Sequence, residues 1–346
     1  MSRSPNPLVQ LTATRIREFM REPDAIFWTF FFPVIIAVTL GIAFRERGPD
    51  TIHVAIMAGE GAEEVARVLA AEPYVEAQVV DAATAEESIR RGDVALAVVP
   101  DAGGVRYLYD PSRSESRVAR LTVNDALQRA AGRQDPRPTL DEPLDERGSR
   151  YIDFLMPGLI GMNLLGTGLW GVGYTVVRMR REQLIKRLVA TPMRRGHFLL
   201  SFMLGRMVFL AAELALLLSF AWIVFDVTVQ GSLLALLITA VIGAFAFTAI
   251  GLLVASRVRT IEAAAGLMNL AAIPMWIVSG IFFSYHHFPD AVLPIIRALP
   301  LTALVDALRS VMMDGASLFA VSGSLAVVGA WGLLAFAASL ALFRWR

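Results

Sequence analysis

The sequence predicts an all-α membrane protein of six transmembrane helices carrying a small extracytoplasmic α/β domain, and three observations point to it. Of the 346 residues, 55% are hydrophobic and 18% are charged, with a mean hydropathy of +0.56, whereas soluble domains carry about 25% charged residues. Six apolar runs reach the roughly 20 residues that cross about 30 Å of hydrocarbon. Lys and Arg cluster in alternate connections between those runs. The formal net charge is +1, so there is no basic excess of the kind that marks a nucleic-acid binder. Cysteine is absent, which excludes disulfide frameworks, Cys-based zinc sites, iron–sulfur clusters and thiol nucleophiles.

Residues 1–25 place Val9, Ala13, Ile16 and Met20 on one helical face and Gln10, Thr14, Arg17, Glu18 and Arg21 on the other. This is the pattern of a helix lying in the membrane interface; a basic flank that only sets orientation is the competing reading. The first run, Ile26–Phe44, continues into Arg45-Glu46 with no small-residue cleavage site, so it reads as a retained span and not a signal peptide. The other runs are Phe154–Val177, Met207–Phe225, Val227–Ser256, Ala263–Pro289 and Gly315–Phe343. Gly231 and Ser232 lie near the start of the fourth, which reads as one tilted helix.

Residues 45–150 form a polar insertion with 14 Arg against 20 acids. Strand-like segments at Ile52–Met57, Tyr74–Val80, Val94–Val99 and Val105–Tyr109 alternate with helical patterns at Glu60–Ala71, Ala83–Arg91 and Arg113–Ala131. Pro100 closes the third strand, and Arg133–Arg150, with three Pro, reads as a linker. Alternating strands and helices make an α/β domain.

Charge sets the orientation. Residues 1–25 hold four Arg, 178–206 hold eight Lys/Arg against one acid, and 257–262 and 344–346 hold two Arg each. With six spans these four segments share one side, so both termini and the loop 178–206 are expected in the cytoplasm and the insertion outside.

The run Gly166-Thr167-Gly168-Leu169-Trp170-Gly171 fits a dinucleotide fingerprint. That fingerprint works only where a strand turns into a helix, and this copy lies within an apolar span, where small residues instead let helices approach. A P-loop requires a Gly-Lys dipeptide, and the single lysine, Lys186, follows Ile185. Any ATP used must therefore be hydrolysed on another chain. Glu213 is the one acid well inside a run; at a cost of about 2.5–3.5 kcal/mol if left charged at the bilayer centre, it must face a partner or a wet path. Arg206, at i−7, shares its side of the helix. Asp153 reads as an interfacial charge. His286-His287 has no third ligand at metal-binding spacing, so an interfacial pair is the simpler reading. Phe282 and Phe283 suit an outer gate or an aromatic anchor, and Pro289, Pro294 and Pro300 break the outer segment 284–314 into short helices.

Within 178–206, Leu184, Ile185, Leu188 and Val189 form one face of a short helix and Arg181, Lys186 and Arg187 another, ended by Thr191-Pro192. Such a helix either docks into a partner's groove or marks topology alone. The stretch Glu182-Gln183-Leu184-Ile185-Lys186-Arg187-Leu188-Val189-Ala190-Thr191-Pro192, followed by Arg194-Arg195 and Phe198-Leu199-Leu200, resembles the loop of the ATP-binding-cassette (ABC) type-2 permeases; it departs from them at Leu184-Ile185, where they carry Gly-Thr. Tyr151–Gly158 resembles their entry into the second span. Ser279–Phe283, Phe288-Pro289, Leu299–Thr302 and Val305–Arg309 resemble their fifth span and outer re-entrant segment.

The resemblance implies the membrane subunit of an exporter that moves an amphipathic compound, lipid or glycan outward, and the external domain between the first two spans resembles the subset of drug, polyketide and polymer exporters. It implies no catalysis and no cofactor on this chain. Two copies of a separate cytoplasmic ABC ATPase would supply ATP and Mg, a second permease copy would complete a homo- or heterodimer, and the setting would be the cell membrane. On that carry-over Glu182, Leu184, Arg187, Leu188, Thr191 and Pro192 are the ATPase-coupling residues, while Glu213, Phe282 and Phe283 are candidates for the translocation path. A membrane sensor or scaffold whose external domain binds a ligand is the alternative of another class.

Overall fold

The computed structural model describes residues 7–43, 51–101, 104–134, 137, 150–189, 195–258 and 260–343. They form two compact units, one of residues 1–45 and 145–346 and one of residues 46–144. Six helices are long and apolar enough to cross a membrane: Pro23–Ala43, Tyr151–Arg181, Gly196–Phe225, Leu233–Ala255, Ile261–Val278 and Ser322–Leu342. The protein is a multi-pass helical membrane protein.

In the larger unit α1 (Pro7–Met20) leads into the first span, built of α2 (Pro23–Ile26), a π-helical stretch Phe27–Phe31 and α3 (Phe32–Ala43). The smaller unit comes next: β1 (Ile52–Met57), α4 (Ala62–Leu69), β2 (Val75–Val80), α5 (Ala82–Arg91), β3 (Leu96–Asp101), β4 (Gly104–Leu108) and α6 (Ser114–Ala130). Its sheet runs β2-β1-β3-β4, with β1 parallel to β2 and β3, and β4 antiparallel to β3. Alternate residues of each strand point to opposite faces. Val54, Ile56, Leu96 and Val98 therefore pack with Val65, Leu69, Ala119 and Val123 of α4 and α6, while Ala55 and Ala97 meet Ala85 of α5. Pro100, expected to end β3, lies within it opposite Val105. It is tolerated because β1 has stopped pairing at Val98, leaving no ladder on that side for a proline to break.

The second span comprises α7 (Tyr151–Gly166), a π-helical stretch Thr167–Tyr174 and α8 (Thr175–Arg181). Beyond it come α9 (Leu184–Val189), α10 (Arg195–Phe225), α11 (Leu233–Ala255), α12 (Ile261–Val278), α13 (Leu293–Ala298), α14 (Pro300–Met313) and α15 (Ser322–Leu342). The second span is the hub: 83% of its most apolar stretch is buried within the molecule, against 17% for the fifth. α11 packs against it and against α15, and α14 fills the space beside α7. Glycine permits this approach. A Cβ on Gly168 would stand 2.7 Å from the backbone carbon of Phe247, and one on Gly173 would stand 2.9 Å from the Gly251 carbonyl oxygen.

Apolar runs and helices do not coincide at their ends. α10 begins twelve residues before Met207, at Arg195, so Arg206 belongs to the third span and not to the loop before it. A run stops at its first charge, but a helix continues wherever that charge finds a partner. The fourth span, α11, begins at Leu233, capped by the Ser232 hydroxyl, which accepts from the Leu234 N–H. The run Ala263–Pro289 is not one helix. α12 stops at Val278, and Gly280, at φ +74°, turns the chain into a left-handed conformation that a helix cannot hold.

Candidate functional site

The end of α8 is fixed by two arginines. Residues two apart on a helix lie about 200° apart around its axis, so Arg178 and Arg180 reach opposite neighbours. Arg178 pairs with Glu22 at the start of the first span and lies 3.8 Å from Glu18 of α1. Arg180 turns to α11, where its Nη1 donates to the carbonyls of Ala255, at 2.7 Å, and Val258, while Nη2 donates to Ser256 at 3.1 Å. The last carbonyls of a helix lack internal partners and carry its negative dipole end, so a guanidinium there both caps and neutralises. α1 is held in turn through Arg15, whose guanidinium stands 4.2 Å from the ring centroid of Phe202 and donates to Glu18 at 2.6 Å. Burial pushes the Arg15 group below its ordinary value, while Glu18 pulls it back up. α1 thus meets a protein partner, α10, through Arg15 and Phe19, while Val9 and Met20 of its apolar face are exposed.

This clamp carries α9. Gln183, at φ +61°, makes the turn into it, and its side-chain oxygen accepts from Lys186 Nζ at 2.9 Å. Ile185 is buried and Leu184 half-buried, while Glu182, Lys186 and Arg187 are exposed. Glu182 and Arg187 are therefore accessible for docking, and Leu184 sits partly against the molecule's own core. Leu188 lies in the same helix, and Thr191 and Pro192 lie outside the described residues. Sequence reasoning passed over Arg178 and Arg180, which read only as part of a basic cluster; their spacing of two at a helix end was the available signal.

Glu213 lies in a second constellation. Its Oε2 accepts from Arg206 Nη2 at 2.6 Å, the same nitrogen donates to Thr167 Oγ1 at 2.7 Å, and Asn163 Nδ2 stands 3.5 Å from the carboxylate. The Arg206 and Glu213 side chains are 5% and 2% exposed. Arg206 Nε and Nη1 and Glu213 Oε1 are buried with no hydrogen-bond partner among the described residues. The group borders a cavity of about 770 Å³, between α1, the first three spans and α12, which also takes in Trp28, Trp170 and Trp276.

Phe282 and Phe283 are elsewhere. The Phe282 carbonyl accepts from Tyr151 Oη at 2.9 Å, and the Phe283 ring lies 6.2 Å from that of Phe288; neither lines the cavity that Glu213 borders. Around them Arg309 donates to the Gly280 carbonyl at 2.7 Å and lies 3.9 Å from the Phe154 ring centroid, and Tyr285 Oη donates to Asp306 at 2.9 Å. These contacts knit the turn after α12 to α7 and α14. Asp153 forms a two-pronged pair with Arg150, at 3.0 Å on each oxygen. His286 and His287 are exposed, and no group of three His, Cys, Asp or Glu at metal-binding distance occurs among the described residues.

A hub helix flanked by five further spans, a clamped short helix between the second and third, and an α/β insert after the first define a multi-pass membrane protein of the transporter kind. The chain belongs to the ABC-2 family of transporter proteins, whose family model matches residues 24–341. It is also similar to ABC transporter G family member 20 of Dictyostelium discoideum, at 27% identity over 171 residues. That match takes in 49% of this chain and 23% of the relative, so the chain spans about a quarter of the relative's length.

Proposed function

We propose that the protein is the membrane-spanning permease subunit of an ATP-driven exporter that moves an amphipathic compound, lipid or glycan outward. In this reading ATP and Mg are bound by two copies of a separate cytoplasmic ABC ATPase, and a second permease copy completes the transporter. The basic segments around α1 and α9 face the cytoplasm, and the α/β unit stands outside the cell membrane. Its part is mechanical, with no reaction catalysed on this chain.

The observation that carries the reading is the mounting of α9. Through Arg178 and Arg180 the helix end before it is tied at once to the start of the first span and to the end of α11. A push on α9 from a bound ATPase is thereby delivered to three spans. Glu182, Leu184, Arg187, Leu188, Thr191 and Pro192 form the docking segment, and Glu213 borders the path.

The test is copurification with a candidate ABC ATPase, followed by ATPase and transport assays on Leu188→Asp and Arg187→Glu. The expected outcome is weakened assembly, or ATP hydrolysis no longer stimulated by cargo. Assembly and coupled transport at the unsubstituted level would overturn the docking assignment.

A further inference from the structure

We propose that the cavity beside Arg206 and Glu213 binds a bilayer amphiphile of no net charge whose head both donates and accepts hydrogen bonds, as a phosphoethanolamine head does. The cavity, about 770 Å³, falls in the range of roughly 300–1,000 Å³ that ligand sites occupy. Two π-helical stretches border it, contributing Trp28 and Thr29 from Phe27–Phe31 and Thr167, Trp170 and Gly171 from Thr167–Tyr174. Such widened turns are rare and collect at functional sites.

The chemistry of the occupant follows from the walls. Trp28 both lines the cavity and is 58% exposed on a span of high hydropathy, so the cavity communicates with the hydrocarbon, and its ligand comes from there. Its aromatic side chains take an acyl chain. Four arginines and four carboxylates line it, so neither a net anion nor a net cation is favoured against the loss of its hydration. Within that balance Arg206 retains N–H donors on Nε and Nη1, and Glu213 retains Oε1 as an acceptor, all buried without a partner among the described residues. Buried polar groups left unpaired in native structures call for a partner. A head that offers both an acceptor for Arg206 and a donor for Glu213 satisfies the pair, whereas phosphocholine offers no donor and phosphatidylglycerol adds a negative charge.

The test uses the full chain in nanodiscs with no ATPase and no ATP, so its failure and that of the exporter reading are separate. Photoactivatable diazirine-acyl phosphatidylethanolamine, phosphatidylcholine and phosphatidylglycerol are cross-linked in turn, and labelled peptides are located by mass spectrometry. Phosphatidylethanolamine is expected to label the peptides around Trp28 and Trp170 at least fivefold more than the other two. Gly171→Leu fills open space, since nothing lies within 4 Å of a Cβ built there, and should reduce that labelling at least fivefold. Glu213→Gln leaves Arg206 with an uncompensated charge and should turn the preference to phosphatidylglycerol. Equal labelling by the three lipids, or labelling unchanged in Gly171→Leu, would mean ordinary lipid contact and overturn the proposal.

Discussion

Arg206 and Glu213, two turns apart on α10, form a 2.6 Å ion pair in which both side chains are almost wholly buried. Removing one member of a buried pair strands the other's charge, at roughly 3–5 kcal/mol, while replacing both with apolar groups of similar size is often neutral or stabilising. Arg206→Met is therefore expected to lower stability by about that amount, and Arg206→Met/Glu213→Leu to recover most of it. A double-mutant cycle on denaturation midpoints in detergent checks this; additive losses would show that the pair is not coupled.

Arg180 caps α11 through the carbonyls of Ala255 and Ser256 and holds the following turn through that of Val258. Hydrogen bonds to charged groups contribute roughly 1.5–3 kcal/mol. Arg180→Gln should therefore speed amide exchange in the last turn of α11 by about tenfold to a hundredfold, with the first turn unchanged. Arg180→Lys should fall between, because a single ammonium cannot reproduce the guanidinium's fork of donors. Hydrogen exchange read by mass spectrometry resolves the two ends of the helix.

Two glycines three residues apart should respond oppositely to alanine. At Gly168 a new Cβ meets the Phe247 backbone at 2.7 Å, which cannot yield as a flexible side chain could. Overpacking of this kind costs about 1–3 kcal/mol. At Gly171 the same methyl meets open space, so Gly171→Ala should be neutral or gain up to about 1 kcal/mol of helix preference. Thermal midpoints of the two variants, compared side by side, decide the matter.

In the α/β unit, Arg133 and Arg129 hold the Asp125 carboxyl below its ordinary value, the hydrogen bond from Arg133 contributing most. A carboxylate lowered in the folded state stabilises above the unfolded value, near 3.9, and that contribution is lost as pH falls below it. Asp125→Asn should accordingly flatten the acid side of the unit's stability profile below about pH 4 and leave the profile near neutrality parallel to the original. Exchange protection of α6, followed from pH 6 to pH 3, is the measurement.

Much of the architecture was legible in the sequence because hydrocarbon thickness acts directly on the length and polarity of each span. The insert's strands and helices fell within a few residues of their expected places for the same kind of reason: alternating and 3.6-residue patterns report which face is buried. The site was less legible. Glu213 stood out as a lone acid, but Thr167 and Asn163, the companions that it and Arg206 find on the second span, gave no signal, and Phe282 and Phe283 proved to belong to a different constellation. The basic cluster 178–206 looked uniform although its members do different things. Arg178 pairs with Glu22 just before α2, Arg180 caps α11 and Arg206 is buried within a span.

The sequence by itself determined that this chain crosses a membrane about six times, that a folded polar unit interrupts it after the first crossing, and that no P-loop lies on it. Those properties depend on the length, polarity and spacing of residues near one another in the chain. Tertiary structure alone decided which span is the hub, which glycines carry close approach and which line a cavity, and which charges cancel. Each of these depends on neighbours from distant parts of the chain, such as Gly168 against Phe247 or Arg180 against Ala255, and no local pattern encodes which distant backbone will arrive.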